Sequence, residues 1–200
     1  MTTKTILVTG FSGFPGMPIN PTATLVQRLP KRLPARVRGV SFRFAVLPPE
    51  WRARESVTQA LIRDVDPDCV VHFGVDGKRR AINIETLARN WASTIRADSA
   101  GDVAPSALLA PAGTPDRPST LPVQHMQQAA SRSGVDVRLS DNAGDYLCNA
   151  TLWDTLGTGR PAVFVHVPAF PRGRFENRPA YHAVEDAAVY MLRDLALRMS

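Results

Sequence analysis

Two side chains in this sequence stand where they could act on a carbonyl carbon. Cys148 lies in "DNAGDYLCNA" (residues 141–150), a polar stretch that runs into an apolar, helix-periodic segment. Near a helix start, unpaired backbone N–H groups and the helix dipole favour a thiolate. The same N–H groups can hold the oxyanion formed when sulfur adds to a carbonyl. A nucleophile also needs a base, and "VFVHVP" offers His166 on an apolar strand just before Pro168. A histidine at the carboxyl end of a parallel strand opens onto the crevice where α/β sheets carry ligands. Each residue also has a plain structural reading. An intracellular thiol in an apolar helix is commonly packing, and the histidine could be a satisfied core group.

The elements that would position these residues alternate short β-branched runs with helix-period segments. This pattern predicts one α/β domain over residues 1–200, a three-layer α/β/α arrangement with a mostly parallel twisted sheet flanked by helices. Strands are expected over 5–10, 36–47, 68–74, 135–140 and 161–170, and helices over 20–29, 55–65, 121–134, 144–156 and 183–199. Asn20 reads as an N-cap followed by Pro21 in the first helical position. The segment 98–120, rich in Pro, Ala and Ser, is the one long irregular stretch.

Composition narrows the function classes. Hydrophobic residues at 44% and charged residues at 21% give the balance of a globular protein with a continuous core. No run approaches the ~20 apolar residues of a membrane span, and the first ten residues lack the pattern of a secretory signal. Two widely separated cysteines fit reduced thiols in a cytoplasm. The net charge of +6 raises the question of nucleic acid. The basic residues, however, form three clusters, at Arg28–Arg38, Gly77–Arg80 and Arg172–Arg178, rather than one stripe, and no nucleic-acid module is present. Cys69 and His72 make only a two-residue pair, too few ligands for a zinc site. No metal is expected.

Five ordered segments resemble a known family. "DNAGDYLCNATLWDTL" followed by "VFVHVP" is similar to the S-x-x-A-G-x-Y-x-C-N and F-x-H-V-P motifs of the pyroglutamyl peptidase I family, the pyrrolidone carboxyl peptidases. "ILVTGFSGFPGMPINPT", "VVHFGVDGKRRAINIETLARN" and "STLPVQHM" resemble further family segments in the same order. The resemblance implies a cysteine exopeptidase with the triad Glu85, Cys148 and His166, the glutamate carried by an acidic helix. It implies substrate contacts at Phe11 and Phe14, at Gly74 and Val75 in the glycine turn, and at Asp98. It implies a peptide substrate with an N-terminal pyroglutamate, no cofactor, no nucleic-acid or membrane partner, and a homo-oligomer, either dimer or tetramer. Read from the residues alone, Glu85 could instead be an exposed helix acid pairing with Arg89 four residues on, and the two phenylalanines could be loop packing.

The chain departs from the family's pattern around the pocket. The first loop reads "FSGFPG", with Ser12 and Gly13 between the aromatics, where the family usually has an acidic residue and a proline. The turn "GVDGKRRA" lacks the usual leucine. In "TIRADSAG" the family's arginine position holds Ile95, with Arg96 one place later. Adjacent side chains on an extended segment point oppositely, so Arg96 is not expected to take that arginine's place. Two alternatives accompany the peptidase reading: an amidase of another small N-acyl or lactam group, and a catalytically weak binding or assembly protein.

Overall fold

The computed structural model of the protein describes residues 4–171 and 177–200. Its first strand, β1 (Thr5–Phe11), is almost entirely buried, as an apolar run inside a parallel sheet requires. Asn20 caps α1 (Pro21–Arg32), its Oδ1 accepting from the Thr22 backbone N–H at 3.0 Å and from the Thr22 hydroxyl at 2.8 Å. The segment expected as one strand over 36–47 is a hairpin. Arg38 and Gly39 take positive φ angles of 45° and 84°, turning β2 (Arg36–Val37) antiparallel onto β3 (Val40–Leu47). The helix expected over 55–65 is also divided. Arg54–Gln59 is π-helical, and only α2 (Ala60–Val65) has α geometry.

The next correction concerns Glu85. After β4 (Cys69–Asp76), the stretch expected to be an acidic helix forms β5 (Ile82–Glu85). Ile82 and Ile84 enter the core while Asn83 and Glu85 face the other side, and this two-residue alternation is the strand period. β6 (Leu87–Ala88) then pairs antiparallel with β7 (Arg117–Pro118), a short strand inside the segment expected to be irregular. The chain continues through α3 (Val123–Ser131), β8 (Val137–Ser140), α4 (Leu147–Gly157), β9 (Ala162–Pro168) and α5 (Tyr181–Met199).

The main sheet has the order β2-β3-β1-β4-β9-β5-β8. The core run β3-β1-β4-β9 is parallel, whereas β5 lies antiparallel to β9 and carries β8 parallel beside it. The two faces of the strands separate cleanly. Ile6, Val8, Val71, Phe73, Val163 and Val165 pack under α1, α3 and α5. Leu7, Val70 and Phe164 pack under α4 and α2, against Leu152, Trp153 and Ile62. This is the three-layer α/β/α architecture the alternation implied. Two arginines of the first basic cluster are tied to α5, Arg28 to Glu185 at 2.8 Å and Arg32 to Asp186 at 2.6 Å. Of the third cluster, residues 172–176 lie outside the described residues. Among the described residues, no helix is long and apolar enough to cross a membrane.

Asn20 also holds the loop after β1, its Nδ2 donating to the Ser12 carbonyl at 3.1 Å. Asn20→Ala therefore removes both a helix cap and a loop anchor. Equilibrium urea unfolding should show a loss of about 1–2 kcal/mol with an unchanged m-value; an unaltered midpoint would contradict this role.

Candidate active site

Strand parity places the reactive groups on one side of the sheet. On β9, Phe164 and His166 face α4, and on β4 His72 and Gly74 share that side. Gly74 lies directly opposite His166 in the sheet register. A Cβ at Gly74 would overlap the Phe164 ring and come within 3.2 Å of the Cys148 sulfur. Glycine at this position is thus what lets α4 set Cys148 against the sheet.

Cys148 is the second residue of α4, nearer the helix start than the expected 144–156 span would put it. The helix begins without a side-chain cap, so its first N–H groups are not taken by a capping oxygen and can serve an anion. Asn149, which follows, is fully buried and locks the helix start in place. Its Oδ1 accepts from the Arg89 N–H at 2.8 Å, and its Nδ2 donates to the carbonyls of Arg89 and Trp91 at 2.8 and 2.9 Å. In the sequence Asn149 is one of several polar residues of this helix, with Thr151, Asp154 and Thr155, and nothing local sets it apart.

His166 is 4% exposed and donates through Nδ1 to Glu85 Oε1 at 2.8 Å. Glu85 is 0% exposed, at the end of β5, so the reading as a surface acid paired with Arg89 is excluded; Arg89 pairs with Asp141 instead. With Nδ1 committed to the carboxylate, Nε2 is the ring nitrogen left for the sulfur. Burial opposes the charged imidazole. The negative charge and hydrogen bond of Cys148, then those of Glu85, overrule it and raise the His166 pKa to about 9. Cys148 is half-buried beside this cation. Cys69, by contrast, is sealed in the core next to Asp68, and burial pushes its thiol up to about 12. His72 is the other histidine on this face, and burial holds it down at about 3. Its two ring nitrogens are satisfied by the hydroxyls of Thr9 and Thr155, at 2.7 and 2.9 Å. It is a neutral structural group.

A cleft of about 600 Å³ opens over these groups, lined by Phe11, Phe14, Gly74, Val75, Cys148 and His166 among others. Phe11 leans on Phe164 with ring centroids 6.2 Å apart. Phe14 is held by a tight turn in which its backbone exchanges bonds of 3.1 and 2.8 Å with Met17. Gly13 is required in this loop, since a side chain there would collide with the Pro18 carbonyl. One expected contact does not reach the cleft. Asp98 is buried below it, accepting from the backbone N–H groups of Trp51, Ala100 and Asp102 at 2.6, 2.8 and 2.9 Å. It acts on the wall indirectly, because Trp51 packs edge-on against Tyr146 at 5.6 Å.

Of the two residues at the displaced arginine position, only Arg96 reaches the cleft. Ile95 is 92% exposed and does not reach the cleft, while Arg96, also exposed, lines the cleft and lies 4.2 Å over the Tyr146 ring. Arg79, unremarked within "GKRR", is the charged residue that sequence reasoning missed. It donates to Glu85 at 2.8 Å. Among the described residues no group of three His, Cys, Asp or Glu side chains is placed to hold a metal ion.

A sequence profile described as pyroglutamyl peptidase matches residues 4–183. The chain belongs to that family. A pyrrolidone-carboxylate peptidase of Pyrococcus furiosus is 31% identical over 173 residues, covering 83% of this chain and 81% of its own length. One from Lactobacillus acidophilus is 30% identical over 176 residues, covering 83% of this chain and 84% of its own. The crystal structure of pyrrolidone carboxyl peptidase from Thermus thermophilus matches with a TM-score of 0.83 at 30% identity, spanning 95% of this chain and 100% of that one.

The two cysteines should differ sharply in reactivity. At pH 7, iodoacetamide should modify Cys148 on the order of a hundredfold faster than Cys69, and Gly74→Ala should slow the Cys148 reaction by displacing the sulfur. Equal rates at the two thiols would contradict the arrangement described.

Proposed function

We propose that this protein is a cysteine exopeptidase that releases an N-terminal pyroglutamyl residue, with Cys148 as nucleophile, His166 as acid–base and Glu85 as the group that orients the ring. The observation carrying this reading is the buried Glu85–His166 bond of 2.8 Å beside the half-buried sulfur at a helix start. The family membership supports the same substrate class. A pyroglutamyl ring is small, flat and uncharged, and the faces of Phe11 and Phe14 suit it. A volume of about 600 Å³ exceeds what one five-membered lactam needs and leaves room for the chain beyond the cleaved bond.

The mechanism follows from the charges. The reacting form of the pair is thiolate and imidazolium, in which the sulfur's negative charge favours the charged histidine. The thiolate adds to the carbonyl carbon that follows the lactam ring, and the carbonyl electrons move onto oxygen. The N–H groups at the start of α4 hold that oxyanion. The imidazolium then gives its proton to the departing amine, the C–N bond breaks, and a thioester remains on Cys148. Neutral His166 next takes a proton from water as the oxygen adds to the thioester. Collapse releases pyroglutamate and restores the thiolate, with His166 again protonated. Glu85 keeps the ring in place and stabilises its cationic form at both stages. The balance is one amide and one water converted to one acid and one amine.

A fluorogenic pyroglutamyl amide should be cleaved by the wild type, while the matching prolyl amide, lacking the lactam carbonyl, should not. Cys148→Ala and His166→Ala should each lower kcat by roughly 10⁴-fold or more. Equal turnover of the two amides, or activity surviving in Cys148→Ala, would exclude the assignment. The pH profile has a definite sign. His166 must carry the proton it gives to the amine, so kcat/KM should fall as pH rises through about 9. On the acid side it should fall as the catalytic pair becomes fully protonated. A profile flat from pH 5 to 10 would contradict the ion pair.

A further inference from the structure

Glu85 is enclosed completely, and its two oxygens are not equally served. Oε1 accepts from His166 Nδ1 and from Arg79 Nη1, both at 2.8 Å, while Oε2 is buried without a hydrogen-bond partner. A buried carboxylate arranged in this way depends on the cations that face it. One of these, the imidazole, changes charge during catalysis. The other is a guanidinium, which does not.

Arg79 is itself held in a fixed position. Its Nε donates to Asp76 Oδ2 at 3.0 Å, and its Nη2 donates to the Asn142 carbonyl at 2.8 Å. Asp76, at the end of β4, is anchored in turn by the Lys78 backbone N–H at 2.9 Å. Burial acts to raise its carboxyl, but the Lys78 and Arg79 hydrogen bonds and the charges of His166 and Arg79 keep it below the usual carboxylate range. The turn is fastened from outside by Arg178, which donates to the Gly77 carbonyl at 2.6 Å. One guanidinium therefore touches the end of β4 beside His166, the end of β5 at Glu85, and the loop that leads into α4 and Cys148. Each member of the Cys–His–Glu group rides on one of these three parts or next to it.

We propose that Arg79 is a positioning residue, fixing Glu85 as an ionised acceptor for His166 and tying the loop before Cys148 to the same point, with Asp76 setting the orientation of its guanidinium. The inference rests on the hydrolase reading of the site but concerns a residue outside the triad. The charged and titratable groups around Glu85 are His166 from β9, Arg79 and Asp76 from the β4–β5 turn, and Cys148 from α4 through the imidazole. When the imidazole gives up its proton, Arg79 is the cation that stays with Glu85. That arrangement leaves the carboxylate a cationic partner throughout and preserves the ring's alignment for the next step.

The test compares wild type, Arg79→Gln, Arg79→Lys and Asp76→Asn, reading kcat and KM on the pyroglutamyl amide from pH 5 to 10 and the iodoacetamide rate of Cys148. Arg79→Gln should lose roughly 100-fold in kcat with KM little changed, its acid limb should move to higher pH, and its Cys148 alkylation should slow. Arg79→Lys should restore the position of the acid limb and part of kcat, since it keeps the charge without the fork. Full kcat in Arg79→Gln, or a loss confined to KM with unchanged alkylation, would overturn the proposal. If Arg79→Gln does not fold, Asp76→Asn decides. A kcat lowered about tenfold at constant KM supports the assignment, and wild-type kcat with an unmoved acid limb refutes it. Failure of the wild type to turn over the amide, with alkylation still slowed in Arg79→Gln, would remove the substrate reading and leave Arg79's role standing.

Discussion

The hydrogen bond between a fully buried carboxylate, Glu85, and the imidazole of His166 governs how this end of the molecule is built. An ionised carboxyl group inside protein is costly unless cations and donors face it. The chain meets that demand with two cations converging on one oxygen, at 2.8 Å each. The imidazole in turn has the sulfur's charge on its other side, which overrides the desolvation of a ring that is almost completely enclosed. The contrast with His72 is instructive. It is buried on the same face and given only two threonine hydroxyls, and it stays neutral. The two histidines differ in function because their partners differ, not because of their depth.

The fold supplies this contact through a reversal in the sheet. β4 and β9 run parallel, and their carboxyl ends deliver Gly74 and His166 side by side. β5 enters next to β9 in the opposite direction, so Glu85 at its end comes level with Phe164, two residues before the histidine on the same face. The missing side chain at Gly74 then allows α4 to bring Cys148 in from above. Asn149 fixes the start of that helix to the chain at Arg89 and Trp91. Three chain segments distant in sequence meet here: β5 through its two-residue alternation, β9 as a fully buried strand, and α4 through the space left at Gly74.

Much of this arrangement was legible in the residues. The apolar runs of β1, β4 and β9, the Asn20–Pro21 helix start and the Cys148 helix are local signals, and each lies where its pattern indicated. Glu85 shows the limit. The motif suggested a helix, while the alternation Ile82-Asn83-Ile84-Glu85 carries the strand period that packing against β9 rewards. The roles of Arg79 and Arg96 could not be read locally. A basic side chain reads as solvated until the tertiary structure supplies a buried acid for Arg79 and an aromatic ring for Arg96. Asp98 was expected in the pocket because the family resemblance implied it; three backbone N–H groups hold it buried outside the cleft lining instead.

The protonation state of His166 is the quantity on which the whole arrangement turns, and nitrogen-15 NMR reads it directly. A titration of ring-labelled protein should show both His166 nitrogens protonated at neutral pH, with proton loss near 9. In Cys148→Ala the midpoint should drop, because the sulfur's charge has gone. A neutral His166 ring at pH 7 in the wild type, titrating no differently once the sulfur is removed, would contradict the ion pair and the catalytic assignment built on it.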